Sequence, residues 1–147
     1  MAKEIELKFL VKDNSFTKMA THSVAIRQAY LSRKIDSTVR LRVIGDKGKI
    51  TVKGRNHGAV RNEWEYDIPV ADADEMAQLL VGGWDIEKER YYVEFEGHTW
   101  EVDVFHGRHE GLVLAEVELP DPKTPLALPP FVGDDVTGNP AYYNSMM

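Results

Sequence analysis

The chain has 147 residues, long enough for one domain with a real core and too short for two ordinary ones, and its 18 lysines and arginines against 24 aspartates and glutamates leave a net charge of -6. That balance argues against a nucleic-acid backbone as the main partner. No cysteine is present, so a disulfide framework and a thiolate metal site are excluded and any metal must use oxygen or imidazole ligands. Glu4 and Glu6 follow the first methionine with no apolar signal core between, and no apolar run approaches the ~20 residues of a membrane span. A soluble, cytoplasmic protein is expected, with no membrane partner.

Charged and apolar side chains alternate through Glu4-Ile5-Glu6-Leu7-Lys8. This predicts a strand over 2–11 with Glu4, Glu6 and Lys8 on one face and Ile5, Leu7 and Phe9 on the other. A short helical pattern follows at 16–20. Period two then returns at 25–32, 37–44, 49–53 and 61–70, with Gly45-Asp46-Lys47-Gly48 as one connecting turn. Asp72 is a candidate N-cap with Glu75 three residues on. Met76, Leu79 and Leu80 form an apolar stripe behind it, and Gly82-Gly83 ends this predicted helix. Further strands are predicted at 85–95, 98–105 and 112–119, the first two joined by Glu96-Gly97 at hairpin length. From Pro120 onward, proline and glycine point to a wrapping segment or loop. Turns this short make most neighbours antiparallel, since parallel crossovers would need helices the pattern lacks.

Sorting each strand by parity groups the charges into Glu4, Glu6 and Lys8; Arg40 and Arg42; Lys53; Arg61, Glu63 and Glu65; Lys88 and Arg90; Glu101 and Asp103; and Glu116 and Glu118. Any one of these sets, taken alone, fits a solvated strand face. Together they carry a cost, because like charges two residues apart on a strand lie about 7 Å apart and repel by about 2 kcal/mol at an effective dielectric near 20. An open sheet gains nothing from that repetition. Turned inward, the acidic sets can hold hard divalent cations through oxygen, while the basic sets grip a polyanion such as a phosphate chain.

The ordered series Glu4-x-Glu6-x-Lys8, Arg40-x-Arg42, Lys53, Glu63-x-Glu65, Lys88-x-Arg90, Asp103 and Glu116-x-Glu118 resembles the CYTH superfamily of triphosphate tunnel metalloenzymes over nearly the whole chain. The resemblance implies a mainly β (α+β) fold: an eight-stranded antiparallel β-barrel tunnel with a polar interior and a few short helices outside. It implies a small-molecule triphosphate substrate and one or two Mg²⁺ or Mn²⁺ ions. Glu4, Glu6, Glu116 and Glu118 are similar to metal ligands, and Asp103 to the acidic residue completing the metal region. Lys8, Arg40, Arg42, Lys53, Lys88 and Arg90 resemble phosphate binders. Glu63 and Glu65 resemble mid-chain acidic positions, whose division between direct metal contact and support stays open. Arg61, grouped with the phosphate binders, and Glu101 share the parity of the site, and each is equally suited to a structural ion pair.

The expected reaction is hydrolysis of a linear triphosphate, foremost inorganic tripolyphosphate to pyrophosphate and phosphate. One metal would position the phosphates and a second would activate water, so that no side-chain nucleophile is required. A class IV adenylyl cyclase of the same fold would need a base-and-ribose pocket, and no purine-reading motif is visible. A thiamine triphosphatase could stack its ring on Trp64 or Trp100, yet parity puts both on the apolar face. A non-catalytic polyphosphate-binding domain would need only the basic half. Gln28 and Tyr30 share an inward face, where a buried tyrosine with one hydrogen bond is the simpler reading, and His106-x-x-His109 sits among glycines as a loop. Apolar outer faces need cover from 16–20, from Leu126, Leu128, Phe131, Tyr142 and Tyr143, or from a partner subunit, and a homodimer is expected on that ground.

Overall fold

The computed structural model describes residues 2–147. The period-two segments form β1 (Ala2–Val11), β2 (His22–Lys34), β3 (Ser37–Ile44), β4 (Lys47–Gly54), β5 (Val60–Ile68), β6 (Ile86–Phe95), β7 (His98–His106) and β8 (Val113–Glu118). They hydrogen-bond in the order β5-β4-β3-β2-β6-β7-β8-β1, and β1 pairs with β5 to close the barrel. Neighbouring strands are antiparallel throughout, as the short turns require. Phe95 faces His98 across a two-residue turn in which Glu96 (φ 48°) and Gly97 (φ 81°) both adopt the left-handed backbone that matches strand twist.

β1 shares one edge between two partners. Ala2 to Ile5 pair with β5, while farther along Phe9 and Val11 pair with a ninth strand, β9 (Val132–Asp135), across a register shift. β9 lies in the proline- and glycine-rich tail, where four residues are too few to show a period. The strap it begins is held by long-range contacts: the Lys8 backbone N–H donates to Thr137 Oγ1 (2.9 Å), and the Val136 N–H donates to the Lys8 carbonyl (2.9 Å).

Two helical pieces lie outside the barrel, α1 (Phe16–Met19) and α2 (Val70–Met76), and a π-helical turn over Ala77–Val81 continues α2. The helix starts earlier than its predicted cap. Pro69 stands at the N-cap and Asp72 lies within the first turn, where its charge complements the helix dipole. The π turn also rotates the apolar stripe. Ala77 packs on Ala29 and Leu41 of the barrel wall with Met76 of the predicted stripe against them, whereas Leu79 and Leu80 are 76% and 67% exposed.

On the opposite wall, the Phe16 ring lies edge-on to Tyr91 (5.4 Å) and Phe131 (5.9 Å), covering a core that includes Phe9, Trp100, Val102 and Val117. The chain's own tail and α1 thus supply much of the outer cover. Inside, the inward parity continues past the charges to Leu10, Ile86, Phe105 and Leu114, which cluster with Tyr30 under Tyr142 and Met147. This apolar layer fills one end of the bore.

Candidate active site

The bore encloses a cavity of about 290 Å³. Its wall is made by the inward side chains of all eight barrel strands together with the tail residues Tyr143, Asn144 and Ser145. Glu4, Glu6 and Lys8 come from β1, Arg40 and Arg42 from β3, Lys53 from β4, Arg61, Glu63 and Glu65 from β5, Arg90 from β6, and Glu116 and Glu118 from β8. Parity alone delivers these positions, because a closed sheet turns every second residue inward.

Three of the lining cations besides Arg90 have a carboxylate within reach. Lys53 Nζ donates to both Glu4 oxygens at 3.0 Å, Lys8 Nζ lies 3.4 Å from Glu116 Oε1, and Arg40 Nη2 lies 3.9 Å from Glu65 Oε2. Lys8 also donates to the Tyr142 carbonyl (3.0 Å), which ties the tail to the bore. Arg61 donates through Nε to the Gly54 carbonyl (2.9 Å) and through Nη2 to Thr38 Oγ1 (3.3 Å).

Lys88 and Asp103 stand behind the lining and not on it. Both side chains are fully buried with Lys88 Nζ 2.6 Å from Asp103 Oδ2, and Arg90 forks onto the same carboxylate through Nε (2.7 Å) and Nη2 (2.9 Å). Glu101 does line the cavity, and its Oε2 accepts from Arg90 Nη1 at 3.1 Å.

Burial and crowding set the charge states. Burial, reinforced by Glu116 and Glu4, pushes the Glu6 carboxyl well up, and burial with a hydrogen bond to Glu4 raises Glu63 to about 7. Burial opposes ionisation of Glu116, but Lys8, Arg90 and Lys88 outweigh it and hold that carboxyl well below its ordinary range. Burial likewise opposes Asp103, which Arg90 and Lys88 bring down to about 2. Among the cations, burial and the neighbours Arg40 and Arg90 lower Arg42 to about 9. Burial lowers Lys88 to about 7, with Asp103 resisting and Arg90 and Arg42 adding to the fall. The cavity therefore sets Glu6 and Glu63, whose ionisation burial opposes, beside Arg42, whose charge burial also opposes.

Several lining residues escaped the charge pattern. Thr38 shares parity with Arg40 and Arg42, and Thr51 with Lys53, so position alone marked them even though charge did not. The Thr51 hydroxyl donates to Glu65 (3.1 Å) and accepts from Arg40 (3.3 Å). Gln28, fully buried, accepts from Arg42 Nε at 2.8 Å. Tyr143, Asn144 and Ser145 had no periodic signal at all.

The donor set suits a hard divalent cation. Glu6, Glu101 and Glu116 each offer an oxygen, and the three oxygens lie within 4.8 Å of one another. A dication there would offset the burial and the like-charge crowding that push the Glu6 carboxyl up.

An enclosed bore that sets guanidinium and ammonium groups against carboxylates defines a polyanion-binding β-barrel. Residues 2–137 match the family model of the CYTH domain, and the chain belongs to that family. It is 48% identical over 145 residues to the inorganic triphosphatase of Acetivibrio thermocellus, covering 99% of this chain and 92% of that protein. The inorganic triphosphatase of Nitrosomonas europaea is 36% identical over 148 residues, with 98% and 95% covered. A crystal structure of an inorganic triphosphatase superposes with a TM-score of 0.66 at 31% identity, covering 99% of this chain and 94% of that one.

Proposed function

We propose that the protein is an inorganic triphosphatase that uses Mg²⁺ or Mn²⁺ to hydrolyse tripolyphosphate to pyrophosphate and phosphate. The observation that carries this reading is the convergence of Lys8, Arg40, Arg42, Lys53 and Arg90 with Glu4, Glu6, Glu116 and Glu118 on one cavity. The basic side chains receive the phosphate oxygens, with arginine forks matching them in pairs and lysines acting as point charges. As negative charge spreads over the transferring phosphoryl group, these fixed cations need no reorganisation to stabilise it. A dication bound by the carboxylates would neutralise phosphate charge and lower the pKa of a bound water. Glu6 and Glu116 would hold it, with Glu4 and Glu118 along the same strand faces. Asp103 serves the site from behind, fixing Arg90 and Lys88.

Support for an inorganic substrate over a nucleotide comes from the lining, whose aromatic rings are Tyr30 and Tyr143 amid charged and polar side chains. The test is an incubation series with tripolyphosphate, ATP and thiamine triphosphate, each with Mg²⁺ or Mn²⁺, resolving phosphate, pyrophosphate and cyclic AMP. Metal-dependent phosphate and pyrophosphate from tripolyphosphate is the expected result, and Glu6→Gln abolishes it. Cyclic AMP as the main product would overturn the assignment. The same proposal includes a homodimer, supported by Trp64 and Tyr66 (36% and 61% exposed) on the outer face of β5. A strict monomer in sedimentation at micromolar concentration would remove that part.

A further inference from the structure

Arg90 is held by more negative charge than its position requires. Asp103 already takes Nε and Nη2 in a bidentate fork at 2.7 and 2.9 Å, which is the full geometric match of a guanidinium to a carboxylate. Glu101 adds a second carboxylate on Nη1 at 3.1 Å. The two acids differ in freedom, for the Asp103 side chain is fully buried whereas that of Glu101 is 32% exposed. Glu101 also has a second set of neighbours. It stands opposite Glu116 in the β7–β8 register, and one of its oxygens lies within 4.8 Å of oxygens from Glu6 and Glu116.

We infer that Glu101 is a positioning residue with two stations: it masks Nη1 of Arg90 while the bore is empty, and it turns to the cation held by Glu6 and Glu116 when metal binds, freeing that N–H for phosphate. This rests on the metal-dependent reading proposed above. Its consequence is a coupling between cation and triphosphate that no other lining carboxylate supplies through Arg90. A cation that withdraws Glu101 removes both a competitor for the guanidinium and a negative charge facing the incoming phosphate. Asp103 keeps Arg90 aimed throughout, so the donor is exposed without being released.

The test is calorimetric binding of Mn²⁺ alone, and of the non-hydrolysable imido analogue of tripolyphosphate with and without Mn²⁺. The proteins are the wild type, Glu101→Gln, and Glu118→Gln, which removes a lining carboxylate that makes no ion pair with Arg90 among the described residues. In Glu101→Gln the analogue binds the metal-free protein roughly five-fold tighter or more, Mn²⁺ alone binds more weakly, and the factor by which Mn²⁺ improves analogue binding shrinks accordingly. Glu118→Gln weakens Mn²⁺ with a smaller gain for the metal-free analogue. Glu101→Thr, a strand-favouring replacement, repeats the measurement should the amide not be accommodated. Equal gains in Glu101→Gln and Glu118→Gln would reduce the effect to net charge and overturn the inference. An unchanged or weaker metal-free affinity in Glu101→Gln would overturn it by leaving Glu101 a structural partner of Arg90. A wild type that neither hydrolyses tripolyphosphate nor binds the analogue with Mn²⁺ would instead overturn the proposed function, and the inference with it.

Discussion

Asp103 shows how much one buried charge can organise. It neutralises Lys88 and Arg90 at 2.6 to 2.9 Å with no exposed surface of its own, so Asp103→Asn takes the counter-ion from buried Lys88 and leaves Arg90 with Glu101 alone. A loss of about 3–5 kcal/mol in chemical unfolding at neutral pH is expected. The pH dependence has a definite sign. Because the folded-state pKa falls from 3.8 to about 2, the unfolded chain binds the proton more readily. The stabilisation is therefore complete above the unfolded value and is lost as pH falls through the folded one. Unfolding followed in chelator should show wild-type stability dropping across that window more steeply than that of the variant, which retains the depressed Glu116 but has lost Asp103. Gln28 is the quieter case. Its amide oxygen is a buried acceptor for Arg42 at 2.8 Å, and Arg42 is a cation whose pKa burial already depresses. Gln28→Leu should cost about 1–3 kcal/mol in stability and raise KM for tripolyphosphate more than it lowers kcat, since it frees a guanidinium proposed above to grip substrate.

Among the elements, the tail departs furthest from its sequence appearance. After β9 it crosses beneath the bore, where Arg33 clasps it by donating from Nη1 to the carbonyls of Ser145 (2.6 Å) and Met147 (3.2 Å). The Arg33 guanidinium is held in turn by Asp85 Oδ2 at 2.9 Å and lies 4.9 Å from the Tyr30 ring centre. Since Lys8 donates to the Tyr142 carbonyl, the clasp and a cavity-lining ammonium share one segment. Arg33→Ala should leave the far-UV spectrum of the barrel intact, speed amide exchange over residues 140–147, and lower kcat several-fold by loosening Lys8. Unchanged exchange in the tail would show that the apolar layer alone retains it. The π turn after α2 carries a related lesson. One extra residue per turn takes Leu79 and Leu80 off the barrel, so of the stripe a regular helix would bury only Met76 stays packed, beside Ala77 and Val81.

The barrel as a whole stores like-charge repulsion. Glu4, Glu6, Glu116 and Glu118 crowd one wall, Arg40 and Arg42 sit two apart on another, and burial denies them the solvent screening that would make such neighbours harmless. A ligand that supplies both signs at once relieves both walls. Mn²⁺ together with the imido analogue should therefore raise the melting temperature more than the sum of either alone, with about 2.7 kcal/mol of stabilisation at a hundred-fold excess over Kd. Simple additivity would show that the two sets of charges do not communicate through the bore. Outside, no helix among the described residues is long and apolar enough to cross a membrane. The apolar outer faces are met largely by α1, α2 and the tail.

Alternation was enough to assign the eight barrel strands, the inward face and most of the lining, because a period of two is a local property that closure of the sheet leaves intact. Glu4-x-Glu6-x-Lys8 and Arg40-x-Arg42 point into the bore for the same reason that Ile5, Leu7 and Leu41 do not. Partnership is another matter. Asp103 and Glu101 have the same parity and the same charge type, yet one is sealed behind Arg90 and the other faces the cavity, since depth along the bore depends on how eight strands are staggered. The clasp of Arg33, the reach of Gln28 to Arg42, and the tail beneath Lys8 join residues 14 to 134 positions apart. Contacts at such separations leave no periodic trace in the chain, and they exist only once the barrel has closed.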